Sequence, residues 1–189
     1  MLKKQYIVEK AKEVFSERGY KNVTMKDVVE ACEISRGGLY LYFADTKELF
    51  EAVLEAEAEK MESVLSQKNA DDTPGDVLLA FLTEQKKEIL KKKDNLNAAT
   101  FEYLFENKGS KKDNPLKKSF AEQTKALEKL IADGVKKDWM ACDNPAAAAK
   151  NIMYTLEGLK VTSMTYGISA DTMEQEIACL LASVGLAIG

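Results

Sequence analysis

The chain has 189 residues and a formal net charge of −4, with 46% hydrophobic and 31% charged residues but only three prolines; this excludes a disordered or collagen-like chain and allows one domain or two small ones. Histidine is absent, which excludes histidine general bases, Ser-His-Asp and Cys-His nucleophile systems and carboxylate–histidine metal sites; no enzymatic activity, cofactor or metal is expected of the chain. Cys32, Cys142 and Cys179 are too scattered for a disulfide framework or a zinc ribbon, and no apolar run reaches the ~20 residues of a membrane span, so the reading is a soluble cytoplasmic protein.

In chain order, Ile7, Ala11, Val14 and Phe15 form the stripe of a first helix that ends at Arg18-Gly19, where glycine supplies a left-handed turn. Thr24 precedes Asp27 at capping-box spacing and starts a short helix with Val28, Val29 and Cys32 inward. Glu33-Ile34 is a tight connection, and Ser35 caps a second short helix running to Phe43. Asp45-Thr46-Lys47-Glu48 is another capping box, opening a helix of about 20 residues with Phe50, Val53, Leu54, Met61, Val64 and Leu65 on one face. Pro74, Pro115 and Pro145 each follow a good N-cap residue, and proline at the first helical position loses no hydrogen bond, so all three mark helix starts. Phe101, Leu104 and Phe105 stripe a shorter helix broken at residues 107–110. Trp139, in the loop before Pro145, is expected to plug the core; Cys142 beside it is expected to be inert. The last two helices are expected over residues 146–166 and 171–187. No strand periodicity or hairpin turn occurs, so the fold class is all-α, with about nine helices.

The charge is uneven. Residues 1–47 carry nine Lys and Arg against seven acids, and the remainder 18 against 24, which suggests a polyanion-binding module on a different body. Two helices of about two turns joined by a short turn within residues 24–43 form a helix-turn-helix, whose second helix presents its N-terminal residues to base edges in the major groove. Those residues are Ser35, Arg36, Gly37 and Gly38, and arginine bidentate to guanine is the commonest specific contact. Gly37-Gly38 either marks a loop or lets the backbone approach a phosphate or base edge. A di-iron helical bundle needs Glu-x-x-His pairs and is excluded; a helical protein-interaction module without DNA activity is the living alternative, supported by the acidic body.

The segments Gly19-Tyr20, Thr24-Met25-Lys26-Asp27-Val28, Ser35 to Phe43 and Lys47-Glu48-Leu49-Phe50 closely resemble the N-terminal signature of TetR-type (tetracycline-repressor-like) transcriptional regulators, continuously over about 55 residues. The resemblance implies a homodimeric, ligand-responsive repressor of a palindromic operator: residues 1–47 as the three-helix DNA-binding domain, 48–189 as the helical regulatory and dimerisation domain. It places Thr24 and Lys26 at phosphates, Arg36, Gly37 and Gly38 at bases, Tyr40 at a phosphate and Tyr42 at a variable DNA-reaching position. The family's usual lysine at the start of the fourth helix aligns with Thr46, so Lys47 falls one place late.

In this fold the core between the fifth and eighth helices commonly opens into a ligand pocket, and Phe81, Gln85, Phe101, Phe105, Gln123, Met153 and Glu157 are its candidate lining. Aromatics and a methionine suit a largely apolar inducer; Glu157, if charged, would favour a cationic one. The last two helices are expected to pair with their two-fold mates as a four-helix bundle, with Met164, Ile177, Ala178, Leu181, Ala182 and Gly185 at the dimer interface.

Overall fold

A computed structural model describes residues 3–66, 72–92, 95–107 and 114–187. Among these the architecture is nine α-helices and no strand: α1 (Lys3–Arg18), α2 (Met25–Cys32), α3 (Arg36–Tyr40), α4 (Thr46–Ser66), α5 (Pro74–Leu90), α6 (Asn97–Glu106), α7 (Pro115–Lys136), α8 (Pro145–Thr165) and α9 (Ala170–Ala182). The three prolines open α5, α7 and α8. Ahead of α5, Thr73 and Asp76 exchange bonds as a capping box: Thr73 Oγ1 accepts the Asp76 N–H at 3.2 Å and the Asp76 carboxylate accepts the Thr73 N–H at 2.9 Å. Ahead of α8, Asn144 accepts from the Ala147 N–H at 3.0 Å. No described helix is long and apolar enough to cross a membrane.

Packing divides the chain into two compact units. One comprises residues up to 58 together with 91–117; the other comprises 59–90 and 118 onward. The first unit buries Ile7, Phe15, Val28, Cys32, Leu39, Phe43 and Phe50 from α1–α4, joined by Ala99 and Tyr103 of α6. Its centre is aromatic. Phe15 meets Phe50 edge-on at 4.7 Å between ring centroids, and Tyr103 lies 5.3 Å from Tyr20 and 5.4 Å from Phe50. The inward face of α6 therefore differs from the expected one. Ala99 and Tyr103 point in, Phe101 is half-buried and Phe105 is 63% exposed. Tyrosine can take the buried place because its hydroxyl donates to the Glu51 carboxylate.

The second unit buries Val77, Leu78, Phe81 and Leu82 of α5, Leu127 and Ile131 of α7, Ile152, Met153 and Leu156 of α8, and Met173, Ile177, Leu180 and Leu181 of α9. Lys86 and Glu174 form an ion pair from α5 to α9. Trp139 is not a core plug: it stands 45% exposed, with the Lys137 ammonium 5.1 Å from its ring. The turn after α7 passes through Asp138 at φ +59°, and the Trp139 and Met140 N–H groups both bond to the Gly134 carbonyl. This reversal turns Met140 inward instead, against Gly134, where a β-carbon would lie 2.6 Å from the Met140 sulfur. The last helix also stops sooner than expected. The Leu186 N–H bonds to Leu181 O and the Gly185 N–H to Ala182 O, both at 3.0 Å, with Gly185 at φ +77°: a Schellman termination.

Candidate nucleic-acid interface

The interface is assembled from the ends of α2 and α3. Thr24 caps α2, its Oγ1 accepting the Asp27 N–H at 3.3 Å. The Asp27 carboxylate in return accepts from the Thr24 N–H at 2.8 Å and from its hydroxyl at 2.6 Å, and pairs with Arg18. The bonds from Thr24 hold the Asp27 carboxyl below its ordinary range, with Arg18 adding to the effect and slight burial opposing it. The Thr24 hydroxyl proton is thus committed to the cap, and Lys26, with its side chain 84% exposed, is the free-reaching donor at this helix start. Its ammonium is 3.7 Å from Glu30, an exposed i,i+4 pair worth little and easily released.

Helix α2 ends in a left-handed residue that is not glycine. Glu33 sits at φ +52°, with its N–H on Glu30 O and the Ile34 N–H on Val29 O, and this reversal sets the angle at which α3 leaves. Ser35 then caps α3, its Oγ accepting the Gly38 N–H at 3.1 Å. The two glycines that follow differ. Gly38 is buried, and a β-carbon there would come within 3.2 Å of the Ser35 oxygen, crowding the cap. Gly37 is exposed and a β-carbon on it would meet nothing within 4 Å. Gly37 is therefore not demanded by the packing of this chain; its bareness leaves room on the outside of α3.

Arg36 and Tyr40 are one turn apart, with the guanidinium 5.4 Å from the ring centroid. Such a contact contributes about 0.5–1 kcal/mol at an exposed site and restrains a long donor without consuming its N–H groups. Thr24, Lys26, Arg36 and Tyr40 line one concavity of about 740 Å³, which Glu30, Ala44, Asp45 and Thr46 also border. Asp45 caps α4 by accepting the Glu48 N–H at 2.8 Å, while Glu48 reaches past it to the Ala44 N–H at 2.6 Å. Ala44 and Asp45 were not among the sequence candidates; the cap explains why they are drawn to this rim. Tyr42 is 36% exposed and does not line the concavity. Neither does Lys47, whose ammonium lies 3.8 Å from Glu51.

The candidate ligand residues are divided between the two units. Phe101 and Phe105 belong to the first unit, whereas Phe81, Gln85, Gln123, Met153 and Glu157 belong to the second. Phe81, Gln85 and Met153 are buried, and the Gln85 amide donates to the Met61 sulfur at 3.3 Å, a weak acceptor. Gln123 bonds to Ser119, and Glu157 accepts from Lys160 at 2.7 Å, so the charge that would favour a cation already has a partner. A second concavity of about 710 Å³, along α7 and the start of α8, includes none of the seven. Of the candidate dimer residues, Ile177 and Leu181 are buried in the unit's own core, Ala178 is half-buried, and Met164 and Ala182 are exposed. Gly185 forms the turn after α9, where a β-carbon would lie 2.7 Å from Ala141; this, rather than a small contact face, accounts for the glycine.

Comparison with known proteins identifies the family to which both parts of the chain are similar. The family model for bacterial regulatory proteins of the tetR family matches residues 7–53, and that for the tetracyclin repressor-like C-terminal domain matches 77–174. The HTH-type transcriptional regulator YfiR of Bacillus subtilis is 36% identical over 98 residues, 52% of this chain and 48% of that protein. The HTH-type transcriptional repressor AcnR of Corynebacterium glutamicum is 36% identical over 64 residues, 34% of each chain. The chain thus spans about half or less of the length of these curated relatives. Among solved structures, the fatty acid degradation regulator FadR from Bacillus halodurans superposes with a TM-score of 0.74 at 18% identity, covering 98% of this chain and 97% of that one, a likeness of fold.

Proposed function

The chain belongs to the tetR family of bacterial regulatory proteins, and from that premise we propose that it is a transcriptional repressor which binds a palindromic operator as a homodimer and is released by a small-molecule inducer. Residues 1–47 read DNA and 48–189 carry regulation and dimerisation. The observation that carries the reading is the outer edge of α3, where Arg36 is steadied on Tyr40 beside a bare Gly37, with Lys26 across the same concavity. Arg36 reads a base; Lys26 and Tyr40 hold phosphates. The alternative of a helical interaction module without DNA activity leaves that edge without a purpose.

Dimerisation is assigned to the side chains that the second unit leaves outside, Tyr154, Val161 and Met164 of α8, 65%, 40% and 37% exposed, and Ala182 of α9, together with the half-buried Ala178. The inducer is assigned to the second unit around Phe81, Gln85 and Met153, because a buried amide that donates to a thioether, a weak acceptor, is a ready partner for a stronger ligand acceptor. Such a compound releases DNA only by preferring a conformation in which the two heads are mis-spaced.

The test is selection of operator duplexes from genomic fragments with the purified chain, followed by anisotropy titrations at several salt concentrations. Sequence-specific binding by a dimer, with affinity falling steeply as salt rises, is the expected result. Equal binding to all duplexes would overturn the operator reading.

A further inference from the structure

Leu41 has no part in the interface described above, yet it is 80% exposed, the most exposed of the large aliphatic side chains described. Its N–H bonds to the Gly37 carbonyl at 3.2 Å and its backbone is helical, φ −67° and ψ −22°, so the register of α3 continues through it. Leu41 therefore stands one turn beyond Gly37 on the same face. That face is open at Gly37, where a β-carbon would have no neighbour within 4 Å. Alongside runs the stripe of Arg36 and Tyr40, also one turn apart. The exposed side of α3 thus carries two parallel stripes, one of cation and phenol, the other of no side chain and then an isobutyl group.

The edges of the major groove offer hydrogen-bond donors and acceptors at every base, and one apolar group, the C5 methyl of thymine. Where Gly37 allows the backbone of α3 to lie close against base edges, Leu41 is the apolar group brought down next to them. We propose that Leu41 is a specificity-determining residue that packs on the C5 methyl of a thymine in the same half-site as the base contacted by Arg36. The inference rests on the DNA reading above and adds to it a required base.

The test replaces each thymine of the selected operator, one position at a time, by deoxyuridine, which removes the methyl and leaves every hydrogen-bonding edge unchanged. Anisotropy titration of the full chain is expected to show one position per half-site at which affinity falls about fourfold, the equivalent of one buried methyl group. Leu41→Ala, a change at an exposed side chain, is expected to bind the thymine and uracil duplexes equally at that position while keeping its preference elsewhere. Specific binding with no uracil penalty anywhere, or a penalty that persists unchanged in Leu41→Ala, would overturn the assignment and leave the DNA reading standing. Absence of any sequence-specific binding by the unaltered chain would overturn both.

Discussion

A β-carbon on Gly19 would lie 2.8 Å from Oε2 of Glu102, and that same oxygen accepts the Lys21 N–H at 3.0 Å. The loop between α1 and α2 is therefore fitted to a carboxylate from α6. Glu106, one turn on, adds a 3.5 Å ion pair to Lys21. Gly19 meets two demands at once: a left-handed backbone at φ +77° and space for that carboxylate.

Gly19→Ala is accordingly expected to destabilise the first unit by about 1–3 kcal/mol through backbone strain and displacement of Glu102. Denaturant unfolding measures it. In a Glu102→Ala background, which carries its own cost from the lost Lys21 bond, adding Gly19→Ala should cost only about 1 kcal/mol, the part due to the left-handed backbone. A cost for Gly19→Ala below about 0.5 kcal/mol would contradict the fitted loop.

The capping boxes predict a pH dependence. Asp27 and Asp76 are both held below the ordinary carboxylate value of about 3.9, chiefly by bonds from Thr24 and Thr73. A depressed folded-state value means that their stabilisation is fully present above pH ~4 and is lost as the pH falls through the folded-state value. Asp27→Asn should therefore be less stable than the unaltered chain at pH 6, with the gap narrowing toward pH 2. A gap independent of pH would assign the effect to shape rather than charge.

On DNA, Arg36→Ala is expected to cost roughly 1–3 kcal/mol on the selected operator and to relax preference at one base pair. Lys26→Ala should weaken all duplexes about equally and reduce the slope of log affinity against log salt by about one unit. Competition titrations separate the two, and unchanged preference in Arg36→Ala would remove it from the bases.

For dimerisation, the exposure of Val161 and Ala182 makes glutamate at either position harmless to the isolated subunit. Val161→Glu and Ala182→Glu should keep their helicity but sediment as monomers, because each would bury an unpaired carboxylate twice per dimer, at a cost of several kcal/mol. Leu181→Glu, by contrast, should unfold the subunit, since that side chain is 3% exposed within its own core. Dimers in both surface variants would move the interface elsewhere.

Most of the candidate interface is legible in the sequence because it is local. Caps at Thr24 and Ser35 and prolines at helix starts depend on residues three or four apart, and residues 24–43 bring all of α2 and α3 together. What was not legible depends on distance or on turns. That Tyr103 rather than Phe105 is buried follows from Tyr20, Phe50 and Glu51, residues 52 or more positions earlier, and helical periodicity does not name that partner. Gly185 reads as a small contact residue until Ala141, whose N–H bonds to Val184 O at 2.9 Å, is known to lie against it. Leu41 does not stand out in the sequence either: its place four residues after Gly37 gives its register on the helix but not its 80% exposure, and a single leucine names no role.

The presence of α6 in the first unit has a consequence for synthesis and for recombination of parts. A ribosome that has released residues 1–58 has not yet released the ring of Tyr103 or the carboxylate of Glu102, so the core around Phe50 and the loop at Gly19 wait for a segment that emerges more than thirty residues later. A chimera made by grafting residues 1–47 onto a foreign body likewise leaves that segment behind, exposing Tyr20 where Tyr103 covered it. Exchange of DNA specificity between such regulators is therefore better made by transplanting the outward side chains of α3 than by cutting the chain.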